Sequence, residues 1–476
     1  MEVPVQSGNR APRRRRRSPW RYAIMLGVLF VLLASAVVAS FFYKGKSELA
    51  VRLETKKAAG EPTSWAEMDA RIPAVPDAEN AALAFVACAK GKAFGVSRET
   101  MAPYVGVNCS PGKSSKWPER WLADSLGYLT THADTLACIH DALRLPGARF
   151  AVIADGGRAE IPVAEMRQLS NILRLASEYQ AEIGDASSCV EQLHASIRLT
   201  AITQTIPQSP GVSFSFAQQM TTVSALESVL SRVALDETQL ARLNEDFQSI
   251  RPTIDMMDRL LHGLDCNMLD YRANPDDHER GVLGSMMIAR GSASVMELNA
   301  SFREKLRLAP AERAAALDAL FESMRMRRNR PDVVDGPWGL LDNLASGGWP
   351  RYDITISAYS QTLTANTLAK TAIAIERYRL RHEGVYPESL ADLVPDLLPA
   401  IPIDDHDGSP IEYTKSDDGY VITSAKAKGE KKLAAPGSTQ PYLALEIARG
   451  AWLQSEREPA EMTPTEDATA ESAPTQ

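Results

Sequence analysis

The chain has 476 residues, 45% of them hydrophobic, and a formal net charge of −8. That length supports two or three domains with cores of their own and excludes a mini-protein stapled by metal or disulfides. Seven arginines against one glutamate give residues 1–21 a charge of +6, which leaves −14 for residues 22–476 and makes the body unsuited to nucleic acid.

Arg13 to Arg17 and Arg21 precede an uncharged run from Tyr22 to Tyr43. About 20 helical residues at roughly 1.5 Å each reach the hydrocarbon thickness of a bilayer. The run therefore predicts one transmembrane helix over 22–43 with the lipid bilayer as its partner, and Trp20, Tyr22 and Tyr43 at the interfaces. The positive-inside rule keeps the basic segment 1–21 in the cytoplasm and exports everything after Lys44. For a bacterial inner membrane this is a periplasmic or otherwise extracytoplasmic body. A cleaved secretory signal, with the small residues Ala34, Ser35 and Ala36 near its cleavage site, is the other reading; continuation of the apolar run to Phe42 favours the anchor.

Residues 44–76 are charged, then rich in Pro, and read as a stalk. From 77 to 348 helical patterns dominate. "PERWLADSLGYLTTHADTLACIHDAL" spaces its leucines and Ile139 helically, and two apolar-periodic segments between Ile161 and Thr205 meet at Gly184-Asp185, a stop followed by a start, predicting a helical hairpin. Further helices are expected at 213–235, 236–250, 252–267, 277–289, 294–306 and 310–327, and "RFAVIAD" from Arg149 is the best strand. A Pro/Gly/Asp-rich segment ending at Gly348 joins this body to the C-terminal module 349–429. There a long helix ends near His382, Gly384 stops it, Pro387 opens a short helix, and strands follow at Ile411–Thr414 and Tyr420–Ser424. Residues 430–476 have too few large apolar side chains to offset their ordering entropy and read as a largely disordered tail. The expected class is mostly α: a transmembrane helix, an exported helical body, and a small α+β module with a long helix on an antiparallel sheet.

Within that module, "AIAIERYRLRHEGVYPESLADL" followed by "LPAIPIDDHDGSPIEYTKSDDGYVITSA" resembles the globular part of the major pseudopilins of type II secretion systems, and the C-terminal ends of large membrane-anchored bacterial proteins of the planctomycete and acidobacterial kind. The resemblance covers about 360–428 and implies a long helix packed on a hairpin. It carries no calcium site across, because "KAKGEKKLAAPGSTQ" has lysines where the family's loop has carboxylates. The prepilin cleavage motif and apolar stalk are missing upstream of the helix, where "SGGWPRYDITISAYSQ" stands.

Catalytic signatures are absent: there is no G-x-S-x-G, no H-E-x-x-H, no P-loop and no dinucleotide glycine fingerprint. Asp134, Cys138 and Asp141 fall at i, i+4 and i+7 of one helix, with His132 and His140 around the cylinder, a possible metal-ligand spacing that an ordinary amphipathic helix also produces. Asp404, Asp405 and Asp407 in "DDHDG" offer three carboxylates to a cation or, more simply, an Asx-type turn. Asp276, Asp277, His278 and Glu279 stand at an expected helix N-terminus, where the carboxylates among them favour the helix dipole. Five scattered cysteines, Cys88, Cys109, Cys138, Cys189 and Cys266, lack C-x-x-C spacing; up to two disulfides are compatible with an oxidising compartment, in no assignable pairing. No catalytic residue, metal or cofactor is assigned. The sequence points first to a non-enzymatic, single-pass membrane protein acting in interaction or assembly with protein partners. An exported hydrolase with carboxylates in the helical body is the alternative, and an accessory subunit of a secretion apparatus the third reading.

Overall fold

The computed structural model describes residues 19–90, 116–154, 157–159, 161–273, 281–329, 352–424 and 444–449. It is mostly helical, with one small antiparallel sheet of three strands. Helix α1, Pro19–Ala58, runs through the uncharged stretch without a break into the body. Among the described residues no helix is long and apolar enough to cross a membrane. The expected span over 22–43 is thus helical but is not carried as a span by the fold; the side chains at 38, 41 and 42 lie outside the described set.

Residues 44–58, read from sequence as stalk, belong to α1 and pack along α11, Gly281–Leu306. Gly45 permits the approach: a Cβ there would come within 2.8 Å of the Arg290 Cβ. Leu49 is buried with Ala289, Ala293 and Met296 below that crossing. The sequence expectation of two helices, 277–289 and 294–306, becomes this single α11, because Gly291 and Ser292 are small enough to pass through a helix packed on its neighbours.

The short α2, Trp65–Asp69, is capped by the Ser64 side chain. Helix α3, Ala81–Ala87, is capped by Asn80, whose Oδ1 accepts from Ala82 N at 3.1 Å. Helices α4, Glu119–Thr131, and α5, Ala133–Leu143, divide at His132. A disulfide, Cys88–Cys138, ties α5 to the end of α3. Strand β1, Ile153–Ala154, lies within "RFAVIAD" and pairs with β2, Gly157–Arg158.

The hairpin of α6, Val163–Glu182, and α7, Ala186–Thr203, turns where the sequence places it. Gly184 takes a left-handed φ of +81°, and the Asp185 carboxylate accepts from Ser188 N. Helix α8, Ser209–Arg232, is enclosed on nearly every side by α6, α7, the long C-terminal helix and the sheet. Its buried Arg232 donates to Glu182 at 2.7 Å, and the other oxygen of Glu182 takes Trp117 N–H. Helices α9, Glu237–Ser249, α10, Ile254–Ala273, and α12, Pro310–Asn329, complete the body.

Helix α13, Tyr352–Arg381, is the long helix of the C-terminal module, and it docks on α8 and α9 as well as on the sheet. One core therefore runs from Leu226, Val229 and Leu243 in the body through Leu368, Ala372 and Ile375 to Tyr420 and Ile422 in the sheet. The short helix expected from Pro387 is a single 3-10 turn, Leu390–Leu393, closed by a Ser389/Asp392 capping box. Strands β3, Glu412–Lys415, and β4, Gly419–Thr423, form the expected hairpin, with Tyr413 opposite Ile422. A third strand, β5, Ala444–Ala448, comes from the segment assigned to the tail. It pairs with β4, buries Leu445 and Ile447, and gives its Glu446 N–H to the Glu227 side chain of α8. Cys109, the charged segment 274–280, the join ending at 348 and the tail beyond 449 lie outside the described residues.

Candidate functional site

The richest assembly of ionisable groups forms where α1, α10, α11 and α13 meet. Lys56 sits in the last turn of α1, its ammonium almost wholly enclosed. It donates to Asp265 Oδ2 of α10 at 2.7 Å, to Glu61 Oε2 at 3.1 Å and to His262 Nδ1 at 3.1 Å. Glu61 is brought back beneath Lys56 by a turn in which Gly60 adopts a φ of +67° and Glu61 N–H donates to the Lys56 carbonyl. Arg303 of α11 adds a second cation, 3.0 Å from His262 Nδ1 and 3.5 Å from both Asp265 and Glu61.

Asp265 is fully enclosed, and its other oxygen accepts from Asn299 Nδ2 at 2.6 Å. Asn299 is oriented in turn by the Tyr352 hydroxyl, which donates to its Oδ1 at 2.6 Å and ties α13 into the network. Because both Lys56 and Arg303 direct N–H groups at His262 Nδ1, that nitrogen is the acceptor and the ring proton resides on Nε2.

The electrostatics follow from burial and neighbours. Burial disfavours charge on the imidazole, and Lys56 and Arg303 repel a proton from it, so His262 is pushed down to about 3 and is neutral at physiological pH. Burial raises Asp265 above the usual carboxylate range, against the pull of Lys56, Asn299 and Arg303. Burial also works to raise Glu61, but Arg303 and the Lys56 hydrogen bond outweigh it and hold that carboxyl below its ordinary value.

An open-sided groove of about 500 Å³ borders this cluster. One wall is a stripe of α1 containing Ser47, Val51 and Thr55, continued by Ala59 just past the helix end; the other is Met296, Ala300 and Arg303 of α11. Glu48 and Arg52 flank it, the first bonded to Arg290 and the second to Glu297 at 2.7 Å. The volume falls within the roughly 300–1,000 Å³ range of small-molecule sites. No protein-family model, curated protein or solved structure matches the chain.

The residues singled out from sequence lie elsewhere and do not form metal centres. Cys138 is consumed by its disulfide with Cys88, so it cannot offer a thiolate beside Asp134 and Asp141. Asp134 is exposed, and Asp141 is exposed and paired with Arg144 at 3.0 Å. His140 Nε2 instead meets Gln192 Oε1 at 3.1 Å. In the acidic turn, Asp404 is fully buried and accepts from Thr364 Oγ1, His406 N and Ser424 Oγ. Asp405 accepts from Arg251 at 2.7 Å and from Thr367 at 2.9 Å, and Asp407 accepts from Ser409 N at 2.9 Å. These carboxylates point to separate protein donors, and the Asp404–His406 N and Asp407–Ser409 N bonds have the i, i+2 pattern of Asx-type turns. Among the described residues no group of three or more His, Cys, Asp or Glu side chains could hold a metal ion.

Sequence reasoning missed Lys56, Glu61, His262, Asp265, Asn299 and Arg303. A signal was nonetheless there. On α10, Met257, Leu261 and Asp265 share an i, i+4, i+8 stripe, and on α11 Asn299 stands among Val295, Phe302 and Leu306. A carboxylate and an amide in otherwise apolar stripes require buried partners.

Proposed function

We propose that the chain is a membrane-anchored protein whose body lies outside the cytoplasm and which acts by binding at the junction of α1, α10 and α11 rather than by turning over a substrate. The observation that carries this reading is the continuity of α1: one 40-residue helix joins the uncharged run to the wall of the groove. Along that run the described large side chains stand free of the body, Phe30 at 73% exposure and Met25 at 65%, as lipid-facing residues would. The disulfide Cys88–Cys138 suits an oxidising compartment.

Binding is favoured over hydrolysis by the state of the titratable groups. A general base needs a free lone pair and a pKa near the working pH. Asp265 has both oxygens committed inside the protein, Glu61 is held as a weakly basic carboxylate by two cations, and His262 has its acceptor nitrogen occupied twice. No Ser, Thr or Cys among the groove's lining residues is activated by an adjacent base; Ser47 and Thr55 lie on the α1 wall, and Thr55 donates to the Val51 carbonyl.

The test is protease digestion of intact spheroplasts with an epitope at the C-terminus, alongside carbonate extraction of membranes. Loss of the epitope without lysis, from a carbonate-resistant protein, is the expected result. A fully protected C-terminus, or release by carbonate, refutes the reading.

A further inference from the structure

Three features of the groove converge on one kind of ligand. The first is its shape. The α1 stripe from Ser47 to Thr55 extends about 12 Å at the helical rise before the chain turns at Ala59, and α11 runs parallel to it, since Glu48 meets Arg290 and Arg52 meets Glu297. The second is its lining: Val51 is an apolar side chain 63% exposed on the body portion of α1, facing a groove lined by the small side chains of Ala300 and Ala59, with the buried Met296 at its base. The third is polarity: two cations, Lys56 and Arg303, stand together at the end remote from the uncharged run. The near end begins at Ser47, four residues or about 6 Å beyond Tyr43.

We infer that this groove takes a long-chain carboxylate from the bilayer, its acyl chain lying along Val51, Met296 and Ala300 and its carboxylate seated on Lys56 and Arg303. The inference rests on the anchored reading, because it places the mouth of the groove at the membrane surface. The choice of a carboxylate comes from Glu61. Its single oxygen Oε2 already occupies the two cations, 3.1 Å from Lys56 and 3.5 Å from Arg303, so the cradle accepts that geometry. Glu61 is also the replaceable member of the cluster. It is carried on a turn, its side chain is 30% exposed, and neither contact is a close bidentate pair, whereas Asp265 is enclosed. An incoming carboxylate takes Glu61's place on the cations and Glu61 turns out to solvent, leaving the net charge of the cradle unchanged.

The full chain, reconstituted into phosphatidylcholine vesicles, is irradiated with a diazirine-bearing hexadecanoate and the labelled peptides are mapped. Labelling of residues 47–59 and 296–303, competed by hexadecanoate and at least tenfold less by hexadecanol, is expected. Ala300→Phe fills the groove from an exposed position and lowers labelling at least tenfold, with hydrogen-exchange protection of α10 and α11 unchanged. Glu61→Gln removes the internal competitor's charge and raises labelling several-fold. Label confined to 22–43, equal competition by the alcohol, or no response to either substitution overturns the proposal. Failure of the protein to float with vesicles overturns the anchored reading instead, and delivery from the bilayer with it.

Discussion

Two buried acidic assemblies make an instructive pair: the turn Asp404–Gly408 and the junction of Lys56, Glu61, His262, Asp265 and Arg303. The turn is compact in sequence, and most of its bonds are to hydroxyls and backbone N–H groups of α13 and its own loop. The junction gathers charged groups from positions 56 to 303, and several of them are bonded to one another. The first is closed and serves the fold. The second has a side open to a groove. Proximity in sequence therefore marked the less interesting of the two, because neighbouring carboxylates find local donors before they can converge on a ligand.

The largest expected effect separates the assemblies by what remains after one member is lost. Lys56→Ala leaves Asp265 enclosed beside Arg303 and Asn299 alone, and should cost about 3 kcal/mol in local stability of α10 and α11, read by hydrogen exchange. Because burial raises Asp265 in the folded state, the deficit should shrink as pH falls: a carboxyl with a raised folded pKa contributes stability at low pH that is lost as pH rises. A pH-independent loss would mean that Asp265 is not the group left stranded. Asp404→Ala comes next. It removes the acceptor shared by the hydroxyls of Thr364 and Ser424 and the amide of His406, leaving Thr364 only the Ser360 carbonyl of its own helix, should cost about 2 kcal/mol, and should free α13 from the loop before β3.

A smaller effect tests the imidazole. Its folded pKa of about 3 lies below the ordinary imidazole value of 6.5, so between those values the unfolded chain binds the additional proton. Stability therefore rises with pH across that window and falls on acidification. From pH 7 to 5 the His262 contribution should weaken by about 1 kcal/mol, after allowance for its partial exposure. Asp265 acts in the opposite sense, so the measurement is the difference between the wild-type protein and His262→Gln. Equal pH slopes in the two would remove His262 from the account.

Much of the fold was legible because it is encoded locally. Gly184 needs a left-handed backbone, Asp185 caps α7, and the alternation of Tyr420, Val421 and Ile422 has the period of a strand. The α13 stop at Gly384 was legible for the same reason. The third strand was not, because Ala444–Ala448 is short and its apolar face has meaning only once β4 and Glu227 stand beside it. The helical run 44–58 was taken for stalk because its charged residues look solvated until α11 supplies Glu297 and Arg290. The candidate site was illegible as a group, since its members come from three loops' worth of intervening chain and none forms a motif. Only the misfit residues Asp265 and Asn299 could have betrayed it.

The smallest effect asks whether helical spacing alone had any claim on chemistry. Asp134 and Asp141 shared a stripe with Cys138, but that sulfur is bonded to Cys88, Asp134 is exposed, and Asp141 has 74% of its side chain in solvent beside an equally exposed Arg144. Exposed pairs of this kind contribute about 0–1 kcal/mol. Replacing both residues by Asn should move thermal stability by less than about 0.5 kcal/mol, the range of ordinary surface changes, and should leave hexadecanoate labelling of the groove as it was. A zinc-dependent rise in melting temperature in the wild-type protein that the double variant abolishes would reinstate the site. The geometry argues otherwise, because a metal there would have to compete with a formed disulfide for its one soft ligand.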